Sequence, residues 1–321
     1  MKKFIKCLGI VLLTVTISSC SDDETGIVQP STIADIASTN ANLTTLVAAL
    51  DRAGLVATLD AAGTYTVFAP TNAAFAAYLG AGVSVNDVPV ATLREILLNH
   101  VIATELTATA LPNDGYIKTL GKGAASATNT LSMYVKKTGT AVRLNGVSSV
   151  TAANIDASNG VIHIVDAVIG LPTIVTHATA NDTFDSLVAA LTSNGQPDFV
   201  SILSGTGPFT VFAPTNDAFA SLAMELSGLG VSPTPVQLTS VLKYHVTGGN
   251  VLAADLPGIV SGPTAGMVTM LNMQDITISL TGGAKIIGAF SPTRISNIIV
   301  TDVQCSNGVV HVLDKVLLPE L

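Results

Sequence analysis

The chain has 321 residues, 48% of them hydrophobic and 11% charged, with a formal net charge of −8. That acidity excludes a nucleic-acid binder, whose contacts neutralise phosphates, and three cysteines in so long a chain exclude a disulfide framework. Length and apolar content are ample for two hydrophobic cores.

The first predicted element is a secretory signal. Lys2, Lys3 and Lys6 precede an apolar stretch from about Cys7 to Ile17, too short to span a bilayer. "ISSC" at 17–20 resembles a bacterial lipobox, cut before Cys20 with that thiol then lipidated; the alternative is an ordinary signal peptide with an incidental cysteine. The expected order is a lipoprotein signal peptide over 1–19 and a lipidated acidic tether over 20–31. "SDDE" at 21–24 is either a solvated spacer or resembles the acidic export signal of outward-displayed lipoproteins. Losing the signal removes three lysines and no acid, taking the charge from −8 to −11. Several acyl chains then hold the protein on the outer membrane. With Cys7 cleaved away and Cys20 acylated, Cys305 is alone and reads as a small buried apolar residue rather than a nucleophile.

Everything after the tether is written twice. "TIADIASTNANLTTLVAAL" (32–50) and "TIVTHATANDTFDSLVAAL" (173–191) each open with an amphipathic helix, its stripe Leu43, Leu46, Val47, Leu50 or Phe184, Leu187, Val188, Leu191. "YTVFAPTNAAF" (65–75) and "FTVFAPTNDAF" (209–219) are identical at nine of eleven positions. In this phrase Thr66 to Phe68 and Thr210 to Phe212 suit a buried strand that Pro70 or Pro214 stops. Thr71 or Asn72, and Thr215 or Asn216, then cap a helix whose Phe75 or Phe219 faces inward. A second helical stripe, Leu93, Ile96, Leu97, His100, recurs as Leu238, Val241, Leu242, His245. Leu111-Pro112 and Leu256-Pro257 mark chain reversals, and residues 131–135, 141–144, 268–271 and 276–280 read as short strands. Each copy closes on "NGVIHIVDAVIGLP" (159–172) or "NGVVHVLDKVLLP" (307–319). Asn159-Gly160 and Asn307-Gly308 are expected at the centre of a hairpin turn with positive φ at both residues. The strand that follows carries His163 and Asp166, or His311 and Asp314. A period of about 145 residues is a domain duplication rather than a solenoid, with units 32–172 and 173–321 and almost no linker. Helices followed by hairpin-rich strands make the class α+β, mainly antiparallel.

"TVFAPTNxAF", then "(Y/N)HV", then "NGVxHxxDxVxxP", in that order twice, resembles the fasciclin-like domain over nearly the whole mature chain. The resemblance implies two tandem β-sandwich-like wedges with helices packed at one side. It also implies cell adhesion or extracellular protein and glycan contacts, with no assigned catalytic site. The family's Tyr-His pair is present as Tyr244-His245 and replaced by Asn99-His100 in the first copy; no RGD occurs.

The rival is an enzyme or metal site assembled from His163, Asp166 and His100. No HExxH, GxSxG or EF-hand pattern supports it, and Gly205 with Gly207 lacks the third glycine of a nucleotide loop. His100 and His245 fit hydrogen-bonded core positions, His163 and His311 lie mid-strand, and His177 stands where the first copy has Ile36. No catalysis, cofactor or metal is therefore expected, and function is sought where the copies differ. "GAFSPTRISNI" (288–298) stands where the first copy has "LNGVSSVTAANI" and is read as carrying an insertion, which marks Phe290 and Arg294 as exposed partner contacts. Segments 104–109, 126–130 and Met267–Met273 are further candidates, the last as loop or core. The expectation is a lipid-anchored surface protein for adhesion or extracellular matrix binding. A glycan-binding accessory of an outer-membrane uptake system is the alternative, and an uncharacterised surface hydrolase the third.

Overall fold

Each copy begins with short capped helices, because its threonines and asparagines sit where helix N-termini need acceptors. The computed structural model describes residues 31–255, 266–280 and 282–320; the signal, Cys20 and Leu256-Pro257 lie outside them. In the first copy, Thr32 caps α1 (Ile33–Thr39) in a capping box with Asp35. Asn40 then ends α1 and accepts from the Asn42 N–H before α2 (Thr44–Arg52). The single opening helix expected from the sequence is thus broken in two, since an asparagine side chain offers the backbone a competing acceptor. Asn181 breaks the second copy in the same way between α6 (Ile174–Ala180) and α7 (Asp185–Leu191).

In the first copy α3 (Val56–Asp60), β1 (Tyr65–Pro70), α4 (Asn72–Leu79) and α5 (Val90–Leu98) follow. Six strands come next: β2 (Val101–Ile102), β3 (Asp114–Lys122), β4 (Thr130–Thr138), β5 (Ala141–Leu144), β6 (Ser148–Ala157) and β7 (Gly160–Val165). The second copy repeats the helices as α8 (Phe199–Ser204), α9 (Asn216–Gly228) and α10 (Pro235–Lys243) around β8 (Phe209–Pro214). Its remaining strands are β9 (Val246–Gly248), β10 (Gly266–Thr269), β11 (Asp275–Ser279), β12 (Lys285–Ile287), β13 (Ile295–Cys305) and β14 (Gly308–Leu313).

The two seven-stranded sheets have equivalent orders, β2-β1-β7-β6-β5-β4-β3 and β9-β8-β14-β13-β12-β11-β10. All pairings are antiparallel except β1 with β7 and β8 with β14. The parallel pairs join the first and last strands of each copy, so the signature phrase and the closing phrase lie side by side. In the second sheet the Leu271 N–H donates to Val246 O, 2.8 Å away, which carries the β10–β11 turn across to β9.

Alternation along β1 and β8 divides each core. Val67 and Ala69 face the helices and Phe68 faces the inner sheet surface with Met133, Val142 and Val165. Val211 and Ala213 repeat the first role, and Phe212 the second with Ile276, Ile286 and Leu313. Burying each phenylalanine contributes about 2–3 kcal/mol. Cys305, expected to be buried, is free and fully buried, and burial raises its thiol pKa far above the ordinary range.

Ser31–Leu321 form one compact unit. Ser132 Oγ accepts from the Gln304 N–H at 3.0 Å, and Lys118 Nζ donates to the Asp302 carbonyl at 2.7 Å. Ser306 is held twice, its N–H on Pro172 O and its carbonyl on the Ala125 N–H. His177 fills the same seam, its ring edge-on to Tyr116 with centroids 5.3 Å apart.

Candidate functional site

The signature residues have been consumed by the scaffold. Thr71 and Thr215 are the helix caps, accepting from the Ala74 and Ala218 N–H groups, and Pro70 and Pro214 end their strands. Asn72 and Asn216 do something else. Each reaches back to the start of α2 or α7, accepting from the Thr45 or Ser186 N–H and donating to Ala41 or Asp182 O. Thr66 and Thr210, fully buried, donate to Thr104 or Gly249 O and accept from the Leu106 or Val251 N–H. Asp166 and Asp314 accept from the Ser149 and Asn297 N–H groups, both at 2.7 Å.

The Asn-Gly pairs correct the hairpin expectation. Ala157 pairs with Gly160 and Cys305 with Gly308, so the turns are centred on Ser158-Asn159 and Ser306-Asn307, one residue earlier than expected. Asn159 and Asn307 do not take positive φ. Their side chains are buried clamps: Asn159 accepts from the Ile33 N–H and donates to Leu59 and Ala61 O, and Asn307 does the same with Ile174, Leu203 and Gly205.

His163, Asp166 and His100 are not brought together as a reactive set, because each is spent on backbone groups. His100 and His245 donate from Nδ1 to Ile96 and Val241 O and accept at Nε2 from the Ile169 and Leu317 N–H. His163 and His311 use the opposite tautomer, donating from Nε2 to Leu106 and Val251 O and accepting at Nδ1 from the Asn154 and Asp302 N–H. Their rings stack on Phe68 and Phe212, both at 5.5 Å. Burial pushes all five imidazoles below the ordinary histidine value, His100 and His245 to about 4 and His177 to about 3, the last helped by Lys118. No cluster of three or more His, Cys, Asp or Glu suited to a metal occurs among the described residues. Tyr244 is also buried, its hydroxyl donating to Asp275 O and accepting from the Ala289 N–H. Asn99 instead donates to Ile169 and Gly170 O.

Two differences between the copies meet at one place. Helix α4 has 8 residues and α9 has 13, and the longer helix runs past the 288–294 insertion. There Glu225 forms an ion pair with Arg294. Between α9, α10 and the insertion lies a groove of about 810 Å³ lined by Leu222, Leu226, Leu229, Val231, Leu238 and Phe290, with no charged residue on its walls. Phe75 is buried in the first copy, whereas its counterpart Phe219 is half-exposed and forms part of this groove. Phe290 is 61% exposed, as expected, but the Arg294 side chain is only 16% exposed. The expectation of an exposed Arg294 therefore fails: Glu225 holds it down. The sequence missed the groove because its two walls lie about seventy residues apart. The Met stretch splits, with Met267 and Met273 exposed and Met270 buried.

The described residues contain no helix long and apolar enough to cross a membrane. A family model described as "Fasciclin domain" matches residues 41–172 and 182–319. Among similar proteins, Protein sll1483 of Synechocystis sp. is 39% identical over 150 residues, 46% of this chain and 74% of that one. The transforming growth factor-beta-induced protein ig-h3 of Sus scrofa is 27% identical over 82% of this chain, which spans 36% of its length. Human periostin is 26% identical over 82% of this chain, which spans 29% of its length. A solved FAS1 domain pair from the insect cell adhesion molecule Fasciclin I superposes with a TM-score of 0.51 at 21% identity. That match covers 84% of this chain and 92% of the other.

Proposed function

Since this chain belongs to the fasciclin domain family, carrying the domain twice, we propose that it is a lipid-anchored surface protein that acts by binding an extracellular protein, not by catalysis. One observation carries this reading. The side chains repeated in both copies are spent inside the scaffold, while the second copy presents an exposed apolar face around Phe290. A rigid scaffold that reserves its variable surface for contacts suits recognition. Support for an adhesive role comes from the likeness to a domain pair of an insect cell adhesion molecule. Cys20 supplies the anchor, 1–19 being the signal and 20–31 the tether, and avidity comes from many anchored copies.

Pulldown with residues 31–321 from the surrounding surface matrix is the test. The wild-type fragment is expected to recover a protein partner, and the Phe290→Ala, Arg294→Ala double variant to lose it by roughly tenfold or more. Equal recovery by both refutes the contact, and binding only to a glycan array favours the uptake-accessory alternative. Cys20→Ser is expected to release the protein from the membrane fraction, since no acyl chain would remain. Protease added to intact cells is expected to remove the wild type; full protection places it facing the periplasm.

A further inference from the structure

The second domain buries side chains at positions that the first domain leaves open. Ala157 and Cys305 pair with Gly160 and Gly308 in their sheets, and Asp156 and Gln304 with Val161 and Val309. Ala157 is half-buried and Asp156 exposed, whereas Cys305 is 0% and Gln304 1% exposed. Ile36 is half-buried, and its counterpart His177 is buried. What covers the second set is the first domain. Tyr116 of β3 packs against the second domain's core cluster that contains Cys305, and its hydroxyl accepts from Asn181 Nδ2 at 3.1 Å. Lys136 of β4 pairs with Asp182 at 3.4 Å. Gly123, just after β3, lies so close to Ser306 that a Cβ there would overlap the Ser306 backbone.

This cover can lift without unfolding what it covers. Each domain has core clusters of its own, and among the described residues Tyr116 is the side chain that joins the other domain's cluster. The remaining contacts across the seam are hydrogen bonds and an ion pair, which part more readily than a hydrophobic core. Closure also strips water from Lys118. Its ammonium rests on Ser132 Oγ and the Asp302 carbonyl, and burial lowers its pKa; opening returns that charge to water. We propose that the first domain is a lid on the second: the seam parts as a unit while both domains stay folded, uncovering a face of α6 and β13 that holds His177, Gln304 and Cys305. This lid does not depend on the binding reading above.

Cys305 reports on the seam, being the one thiol of residues 31–321. Its labelling by N-ethylmaleimide, followed in rising urea below the unfolding midpoint, is the test. Opening at the seam predicts labelling faster than global unfolding allows and nearly independent of urea, because little surface is exposed. Gly123→Ala, whose overlap lies between the domains, is expected to speed labelling by roughly tenfold or more with an unchanged circular dichroism spectrum. Tyr116→Phe keeps the ring and loses only the bond from Asn181, so it is expected to speed labelling by roughly three- to tenfold. Gly228→Ala, with nothing within 4 Å of its Cβ position, is expected to leave the urea-independent rate unchanged. Wild-type labelling that carries the full urea dependence of global unfolding overturns the lid. Urea-independent labelling that Tyr116→Phe leaves at the wild-type rate also overturns it, since fraying of the turn at Ser306-Asn307 would then expose the thiol. Where Gly123→Ala does not fold, the wild-type urea dependence and Tyr116→Phe decide between these outcomes.

Discussion

Replacing Gly160 or Gly308 with alanine is expected to destabilise the protein by more than about 4 kcal/mol and to sharply reduce soluble yield. Each glycine opens the last strand of its domain and lies against the signature strand. A Cβ on Gly160 would stand 1.9 Å from the Tyr65 carbonyl oxygen, and one on Gly308 2.1 Å from that of Phe209. Both obstacles are backbone, so no side chain can rotate away, and Gly160 also has φ of 143°, which L side chains rarely adopt. Relief requires parting the domain's parallel strand pair, which breaks the ladder from Tyr65–Gly160 to Pro70–Val165 or its copy. It also withdraws the neighbouring Asn159 or Asn307 from its clamp on the first helix. Gly228→Ala is the control: it lies at the end of α9 with nothing within 4 Å of its Cβ position, and is expected to be neutral or stabilising by up to about 1 kcal/mol. Urea midpoints of the three variants check this, and a wild-type midpoint for Gly160→Ala would show that the strands part at little cost.

Acid is expected to unfold the protein between about pH 5 and 4, as the buried imidazoles are forced to protonate. Four of the histidines use one ring nitrogen as donor and the other as acceptor toward fixed backbone groups. Protonation would turn each acceptor into an N–H facing another N–H. The folded values lie below the unfolded value of 6.5, at about 4 for His100 and His245 and about 3 for His177. The unfolded chain therefore binds more protons, and stability is fully present above pH 6.5 and lost as pH falls toward 4. A displacement from 6.5 to about 4 corresponds to roughly 3 kcal/mol per buried ring. Three such rings on the order of 10 kcal/mol together rival the whole stability of an ordinary domain. His163 and His311 shift in the same direction. Circular dichroism against pH is the measurement. His100→Gln and His245→Gln, which keep a donor and an acceptor without titrating, are expected to flatten the acid limb; an unchanged limb would assign the transition to other groups.

The sequence carried the fold because the information is local and stated twice. Strand, stop, cap and inward phenylalanine in "TVFAPTN" need only nearest-neighbour physics, and alternation along 65–70 places Phe68 and Val67 on opposite faces without any reference to the partner strand. It left open whether Thr71 or Asn72 caps the helix. Both have suitable oxygens, and only the position of α2 shows that Asn72 is the tie to it. The Asn-Gly pair suggested a turn, whereas the asparagine is buried because the first helix starts above it.

Sequence by itself determined the duplication, the α+β class, the burial of Cys305 and the structural use of His100, His163, His245 and His311, since these follow from periodicity and from the cost of burying polar groups unpaired. Tertiary structure alone decided which strands run parallel, the seam at Ser132, His177 and Gln304, and the groove. A lengthened helix and the 288–294 insertion look unrelated along the chain. They become one surface only when packing sets Glu225 against Arg294, because contact between distant segments is fixed by how the sheets and helices stack.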